Sequence, residues 1–369
     1  MCCKVKDVIN HMETLAPKNY AMTWDRVGLQ IGSPKKEVRR IMVTLEVNLK
    51  VLKEASDKAV DLIISHHPLI FKPLEEIDFE SPMGAMIQKM IQEDIHLYVS
   101  HTNMDVAPLG LNSHIADKIG MNNIDVLTPL EMEPYVKFAV YVPETHEEAV
   151  LEAINKGRGG YIGNYSYCTF QTLGVGTFKP GEGADPFLGK EGELKKVKEK
   201  KIETIVERKD IQALLGQVKK AHPYEEVAYD LYPLEISISK TGLGRIGRLP
   251  EKQFAEDFIQ HLKKALHIKE VRYVGDLHRE ISKVAILNGS GGDFIQQAQR
   301  AGADIFVTGD LKYHEAQDAM QEGISIVDIG HYESEIIFNQ FIKNYLDSKL
   351  KEEVEIYVAQ DLQNPFKVL

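Results

Sequence analysis

The run Asp-Leu-Ile-Ile-Ser-His-His-Pro at residues 61–68 constrains the fold more than any other stretch. Its apolar part is too short for a helix, which predicts a buried parallel strand over residues 61–67. His66 and His67 then stand at the carboxyl end of the strand, where open α/β sheets bind their ligands. Pro68 holds His67 in extended backbone, and neighbouring side chains on extended backbone point to opposite sides. Two adjacent imidazoles therefore favour two acceptors, which suggests a pair of metal ions.

Length and composition are those of an ordinary globular protein. The 369 residues predict two or more domains, and 43% hydrophobic with 27% charged residues is typical of a soluble protein. The formal net charge of −11 argues against a general nucleic-acid binder, because phosphate binding needs a basic surface. Three cysteines without a CxxC pair predict no disulfide framework and indicate a reducing compartment. No signal-peptide core or membrane-length apolar run is present, so we expect a cytoplasmic protein without membrane partners.

Strands and helices alternate towards both ends of the chain, which predicts βαβ units and a parallel sheet. The predicted strands before residue 131 are 39–47, 61–67 and 95–100, and the predicted helices are 3–16, 48–59, 81–93 and 111–119. Residues 131–235 instead follow the order strand, helix, strand, strand, helix, strand, with strands at 135–142, 170–178, 201–208 and 225–231. That order is typical of a ferredoxin-like unit. We therefore predict an α/β domain over residues 1–130 and 236–369, interrupted by an α+β insert at 131–235.

Two further strands are each followed by a histidine and, four positions later, by an acid. The pairs are His101 with Asp105, in a loop predicted over 101–110, and His331 with Glu335. Their strands also resemble each other in sequence. This repetition predicts that the two ends of the chain are related βα halves of one domain.

Glu335 lies three positions before Phe338, on the apolar face of the predicted C-terminal helix. A buried acid is costly unless it is paired or bound to a cation. Each signal alone also has a structural explanation, since a lone buried histidine is more often a hydrogen-bonded core residue and a His-x-x-x-Glu pair is more often a surface helix pair. The joint pattern at strand ends favours a metal site. Imidazole and carboxylate suit zinc, iron, manganese, cobalt or nickel, and composition does not choose among them.

Several motifs together are similar to those of one known family. They are Trp-Asp-Arg-Val-Gly-Leu-Gln-Ile-Gly at 24–32, Ser-His-His-Pro-Leu-Ile-Phe at 65–71, His-Thr-Asn-Met-Asp at 101–105, Thr-Gly-Asp-Leu-Lys-Tyr-His at 308–314 and Gly-His-Tyr-Glu-Ser-Glu at 330–335. They resemble the Nif-three-like family, whose members carry the name GTP cyclohydrolase 1 type 2 homologue, over almost the whole chain. Residues 162–165, Cys168 and Ala-His-Pro-Tyr-Glu at 221–225 resemble the PII/CutA-like insert of the long bacterial members. The sequence departs from the family pattern at residues 45–48, where an aspartate is expected, and at Asn288, which replaces a small residue.

The resemblance implies a two-metal site in an α/β protein that assembles as a toroidal homohexamer. It maps the metal ligands onto His66, His67, Asp105, His331 and Glu335. It leaves His101 as a polar group near the metals, and Asp310 and His314 as residues lining the pocket. Two divalent ions are implied, with zinc as the first expectation and iron or manganese as alternatives.

Two classes of function follow from these observations. The first is a metal-dependent hydrolase of a nucleotide-like or phosphoester substrate, in which bound water is acidified and His101 or His314 serves as general acid or base. The second is a non-enzymatic metal-binding or regulatory hub, in which the PII-like insert senses a small molecule or binds a partner. Its working surface would be the Gly/Tyr-rich loop at 157–168 and the turn at 222–225. Ordinary tight turns and core aromatics explain those two segments equally well.

Overall fold

The computed structural model describes residues 3–130, 135–234, 241–350, 354–360 and 362–367. The chain divides into two compact units, one formed by residues 1–130 and 240–369 and the other by residues 131–239. The predicted boundary residues 131, 235 and 236 lie outside the described residues.

The elements are numbered in chain order. The strands are β1 (Gly28–Ile31), β2 (Arg40–Thr44), β3 (Leu62–Ser65), β4 (His96–Val99), β5 (Asn122–Pro129), β6 (Tyr135–Pro143), β7 (Thr169–Phe178), β8 (Lys195–Glu207), β9 (Tyr229–Pro233), β10 (Gly242–Phe254), β11 (Arg272–Val274), β12 (Glu280–Ser290), β13 (Ile305–Gly309), β14 (Ser325–Asp328) and β15 (Glu355–Val358). The helices are α1 (Val5–Leu15), α2 (Leu49–Asp57), α3 (Pro82–Gln92), α4 (Thr102–Val106), α5 (Leu111–Lys118), α6 (Glu147–Lys156), α7 (Ile211–Ala221), α8 (Ala255–Leu266), α9 (Ile295–Arg300), α10 (Tyr313–Glu322), α11 (His331–Glu335) and α12 (Ile337–Leu350). Short 3-10 turns occupy Lys18–Tyr20, Glu144–His146, Arg208–Asp210 and Gly292–Phe294.

The described residues of the first unit form two mixed sheets. The spatial order of the first sheet is β1-β4-β3-β2-β15, and that of the second is β11-β14-β13-β12-β10-β5. β4, β3, β2 and β15 are mutually parallel, as are β14, β13 and β12, and the remaining pairings are antiparallel. The mixed α/β class is therefore confirmed. The strands β2, β3 and β4, which correspond to the strands predicted before residue 131, are parallel, and antiparallel strands are added to both sheets.

The apolar runs are continuous because the parallel strands are buried on both faces. In β2, Ile41 and Val43 belong to a core that also holds residues of the second sheet and of α1, α5, α8 and α12. Met42, between them, points to the opposite face and packs against residues of α2 and α3. The strand ends are also in register, since Ser65 pairs with Thr44 and with Val99. Side chains that follow these strands therefore emerge at one edge of the sheet.

Helix starts follow local signals in the sequence. Asn48 accepts hydrogen bonds from the backbone amides of Lys50 and Val51 and caps α2. Ser81 caps α3 in the same way, ahead of a proline at the first helical position. The predicted helices over 48–59 and 81–93 are confirmed with small differences at their ends.

Two predictions about local structure are wrong. Residues 102–106 form α4 rather than a loop, and the carboxylate of Asp25, distant in sequence, accepts the first backbone amide of this short helix. The strand predicted over 201–208 begins at Lys195, because the charged run before it pairs with β7 along its whole length. The edge strands β5, β11 and β15 and the inner strand β10 were not predicted, since their apolar patterns are short or interrupted.

The second unit contains, among its described residues, a four-stranded antiparallel sheet of order β7-β8-β6-β9. The order along the chain is β6, α6, β7, β8, α7, β9. Val140 and Ile202 pack with Leu214 and Val218 of α7 in a separate core. The last strand covers 229–233 rather than 225–231, because residues 222–228 form a turn. No helix in the described part of the chain has the length and apolar character needed to cross a membrane.

Candidate metal centre

The predicted ligands follow the parallel strands of both sheets in the first unit. His66 and His67 come directly after β3, and Asp105 lies on α4 after β4. His331 and Glu335 lie on α11, which follows β14 of the second sheet. The carboxyl ends of the two sets of strands meet here, so that His67 Nε2 is only 2.8 Å from Glu335 Oε2.

His66 holds a nitrogen that has no partner. Its side chain is fully buried, and its Nδ1 lies 2.8 Å from the carbonyl oxygen of Ser100. Nδ1–H therefore donates to that carbonyl, which in the neutral imidazole leaves the lone pair on Nε2. Within the described residues Nε2 has no hydrogen-bond partner, because Asp105 Oδ1 and Glu335 Oε1 both lie 3.7 Å away. His66 Nε2 and the two carboxylate oxygens would all be stabilised by a cation bound between them.

The spacing around His66 fits a metal ion. An ion about 2.0–2.2 Å from each ligand in tetrahedral geometry separates its ligand atoms by roughly 3.3–3.6 Å. The two 3.7 Å separations are close to this range, whereas direct hydrogen bonds are shorter. The donor set of imidazole and carboxylate is also the one that divalent transition metals prefer.

The other oxygen of Glu335 faces a second pair of histidines. Oε2 lies 2.8 Å from His67 Nε2 and 3.0 Å from His331 Nε2. His331 Nδ1 lies 2.7 Å from Asp310 Oδ2, so this imidazole is held between two carboxylates. His66 and His67 thus face different oxygens of the Glu335 carboxylate.

Two sets of side chains can each offer converging ligand atoms. In one set, single ligand atoms of His66, His67 and His101 lie within 4.8 Å of one another. In the other set the same holds for His67, His331 and Glu335. The residues present therefore suit a metal ion, and His67 takes part in both sets.

Asn288 holds the two buried carboxylates together. Its Nδ2 donates to Asp105 Oδ1 at 2.8 Å and to Glu335 Oε1 at 3.0 Å. Its backbone amide in turn donates to the side chain of Asn112 at 2.9 Å. One amide group therefore spans the two acids and fixes the spacing between them.

His101 is oriented by Asp25. Its Nδ1 lies 3.0 Å from Asp25 Oδ1, so Nδ1–H donates and Nε2 carries the lone pair. Asp25 is buried, which raises its pKa, but hydrogen bonds from His101 and Thr102 outweigh burial and lower the pKa to about 2. The His101 ring lies 5.3 Å from His66 and 5.6 Å from His67, between ring centroids. His101 therefore presents a fixed imidazole to the centre.

The electrostatic environment of the centre favours cations. Burial lowers the pKa of His67, but Glu335 and Glu46 outweigh it and raise the pKa to about 9. The hydrogen bond to Glu335, opposed by burial, raises the pKa of His331 to about 9. Burial raises the pKa of Glu335, and the three surrounding histidines bring it well below the usual range. The negative field that favours protonated imidazoles also favours a bound metal cation, which would replace those protons.

The backbone of Gly289 passes close to the Glu335 carboxylate, so a side chain added at this position should disturb the metal centre. Gly289 has a φ of +65°, and a Cβ there would lie 2.5 Å from Glu335 Oε1. Gly289→Ala should cost about 1–2 kcal/mol of unfolding free energy and should also weaken zinc binding, because Glu335 must move. Gly302→Ala is the matched control, with a φ of +76° and Lys283 Nζ as its nearest atom at 3.8 Å. Urea unfolding and zinc titration of both variants should show a stability loss in each and an affinity loss only in Gly289→Ala; equal affinities would contradict the assignment.

The structure brings six of the eight predicted site residues into contact with one another. They are His66, His67, His101, Asp105, His331 and Glu335. Asp310 borders this cluster through His331. His314 is exposed on the first turn of α10, and among the described residues its ring contact is with Tyr313. Its role as acid or base stays a prediction.

Three residues around the centre were missed in the sequence. Asp25 orients His101, Asn288 joins the two acids, and Glu46 lies 4.0 Å from His67 Nδ1. Asp25 lies in the motif at residues 24–32, and Asn288 follows an apolar strand segment. Their positions in the sequence could therefore have marked both as candidate residues of the site.

The fold and the cluster define a mixed α/β protein with a His/Glu cluster that can bind a metal ion. The chain belongs to the Duf34/NIF3 family (NGG1p interacting factor 3), whose model matches residues 3–365. The predicted resemblance is thereby confirmed. The chain is 42% identical over 367 residues to the GTP cyclohydrolase 1 type 2 homolog of Bacillus subtilis, and the alignment covers 99% of this chain and 98% of that protein. It is 44% identical over 346 residues to the protein of the same name from Listeria innocua, with coverage of 94% and 91%.

Solved structures agree with this assignment. The Bacillus cereus protein related to NIF3 is 41% identical, has a TM-score of 0.86, and is covered completely, as is this chain. A Staphylococcus aureus protein is 30% identical with a TM-score of 0.82, covering 100% of this chain and 99% of that one. The mixed α/β fold is therefore shared over the full length.

Proposed function

We propose that the protein is a metal-dependent hydrolase with a dinuclear centre built around Glu335, acting on a nucleotide-like or phosphoester substrate. The observation that carries this proposal is the orphaned Nε2 of buried His66, which faces two carboxylates without a hydrogen-bond partner among the described residues. Most buried polar atoms in folded proteins have a hydrogen-bond partner, and a bound ion between His66 and the two carboxylates would supply the partner that Nε2 lacks.

Each residue of the cluster has a place in this proposal. His66, Asp105 and one oxygen of Glu335 would hold one ion, and His67, His331 and the other oxygen of Glu335 would hold the second. Zinc is the first expectation, with iron or manganese as alternatives, because imidazole and carboxylate ligands suit all three. Ions held in this way supply Lewis-acid polarisation and lower the pKa of water.

The chain's own acid–base group in this proposal is His101. Asp25 fixes its tautomer by accepting the Nδ1 proton, and the lone pair of Nε2 can accept a proton from an attacking water. The buried carboxylate also stabilises the imidazolium that results. His101 therefore holds the proton that a departing oxygen needs in the next step.

The activity can be tested with the purified, metal-replete protein on a panel of phosphomonoesters, phosphodiesters and nucleotides. We expect turnover of at least one class, and its loss by at least about 100-fold in His67→Ala, because His67 would hold the second ion together with His331 and Glu335. His278→Ala removes an exposed histidine away from the cluster and should keep full activity. The absence of turnover by the wild type, or turnover by His67→Ala equal to that of the wild type, would contradict the hydrolase proposal.

The finer architecture belongs to the same proposal. We propose that the two sheets of the first unit are related halves, that the second unit is a PII-like insert, and that the chain assembles as a toroidal homohexamer. The parallel strands at the centre of each sheet and the strand–helix order of the second unit support the first two points. Light scattering should give six chain masses, and a monomer or dimer would contradict the hexamer.

A further inference from the structure

The second unit contains a cavity that lies apart from its hydrophobic core. Its volume is about 370 Å³, and its floor includes Tyr141 and Glu199. Ile202 of the same strand as Glu199 packs into the core with the helices. Since Glu199 is an odd number of residues away on that strand, it faces the other side of the sheet. The cavity is therefore built on the sheet face opposite the helices.

A buried carboxylate lies in this cavity without a cationic partner. Glu199 is only 8% exposed, and its Oε1 accepts a hydrogen bond from the Tyr224 hydroxyl at 2.8 Å. Among the described residues it forms no ion pair. Burying a carboxylate with one neutral hydrogen bond is costly. A cation in the cavity would remove that cost.

The strand beside Glu199 is shaped to admit its side chain. Gly176 lies within β7, and a Cβ at this position would lie 1.9 Å from Glu199 Oε2. A glycine inside a strand weakens it and commonly marks a close approach. Here the missing side chain makes room for the carboxylate, so the carboxylate is a built feature of the cavity.

Aromatic rings form the walls around the carboxylate. The ring of Tyr224 lies 5.7 Å from Phe178 and 6.3 Å from Phe187, between centroids. Rings grouped in this way attract a cation through their negative faces. The charged lining adds Glu225, Glu226 and one lysine, Lys179, so that negative charge exceeds positive.

We propose that this cavity binds a small organic cation, an amine or quaternary ammonium compound, with its charged head between Glu199 and the rings of Phe178, Phe187 and Tyr224. The volume is at the lower end of the range for ligand sites, roughly 300–1,000 Å³, which suits a small molecule. An anion would meet three carboxylates, Glu199, Glu225 and Glu226, against the single lysine Lys179 of the lining. The residues that line the cavity include no imidazole to bind a metal ion, and both nitrogens of nearby His222 are engaged, since Nε2 donates to the carbonyl of Tyr141 and Nδ1 accepts from the amide of Tyr224. All residues of this site belong to the second unit, whereas those of the metal centre belong to the first.

The proposal is tested by calorimetric titration of the full-length protein with choline, with agmatine and with 3,3-dimethylbutan-1-ol, an uncharged analogue of choline. We expect at least one of the two cations to bind saturably and the uncharged analogue to bind at least about tenfold more weakly. Equal binding of choline and its analogue, or no saturable binding of either cation up to roughly 10 mM, would overturn the proposal.

Variants locate the binding in the cavity. Glu199→Gln should weaken binding of the cation by at least about tenfold, and Phe187→Leu by about three- to tenfold. Phe187 is 49% exposed, so its replacement leaves the core intact and keeps the test valid if Glu199→Gln unfolds. Glu182→Gln removes one exposed charge outside the cavity and should bind normally. Unchanged affinity in both Glu199→Gln and Phe187→Leu would place the cation elsewhere and contradict the assignment.

Discussion

Glu335→Gln should lower the affinity for zinc by more than about 100-fold. Even residues that only support a metal ligand contribute about 10–100-fold, and Glu335 contacts three histidines directly. Glutamine keeps the size of the side chain but loses the charge and one acceptor oxygen. Because each oxygen of Glu335 faces a different set of histidines, both positions for an ion should be lost together.

The matched control is Glu333→Gln on the same short helix. The Glu333 carboxylate accepts a hydrogen bond from Asn364 rather than from the cluster. Glu333→Gln removes the same charge two residues away from Glu335, and it should keep the zinc affinity within about threefold of the wild-type value. Zinc titration against a competing chelator, with circular dichroism to verify folding, separates the two variants. Equal losses in both would mean that net charge rather than ligation controls the affinity.

Asn288→Leu should destabilise the metal-free protein by roughly 2–4 kcal/mol. The substitution removes both hydrogen bonds that Nδ2 donates to Asp105 and Glu335. Hydrogen bonds to charged groups contribute about 1.5–3 kcal/mol each, and buried carboxylates without partners repel each other. With zinc bound the loss should be smaller, because a cation compensates the same two acids.

Urea unfolding with chelator and with excess zinc measures this difference. Asn344→Leu is the control, since Asn344 is exposed and, among the described residues, accepts its hydrogen bond from Gln340, so the effect on stability should stay within about 0.5 kcal/mol. A loss for Asn288→Leu that is the same with and without zinc would show that the residue acts through packing alone.

The strand ends explain why much of the centre could be predicted. His66 and His67 follow an apolar run, and aligned parallel strands bring such residues to one edge. Spacing alone also predicted that Glu335 is buried, and it is 3% exposed, although it lies on the short helix α11 rather than on the C-terminal helix α12 that carries Phe338. The identity of the metal and the number of ions bound per chain remain part of the proposal.

The residues that support the cluster could not be predicted in the same way. Asp25 meets His101 across 76 positions, and Asn288 meets Asp105 across 183. No local period connects such pairs, because the contacts depend on how separate strands pack together. Strands β10 and β15 were not predicted for a related reason, since a strand that is stabilised by its neighbours in the sheet needs no regular apolar pattern of its own.

The number of ions per chain tests the central claim most directly. Native mass spectrometry of the full-length protein, after loading with zinc and removal of unbound metal, resolves each bound ion as a separate mass. The dinuclear centre around Glu335 predicts two zinc ions per chain. A chain that retains one ion or none would contradict it.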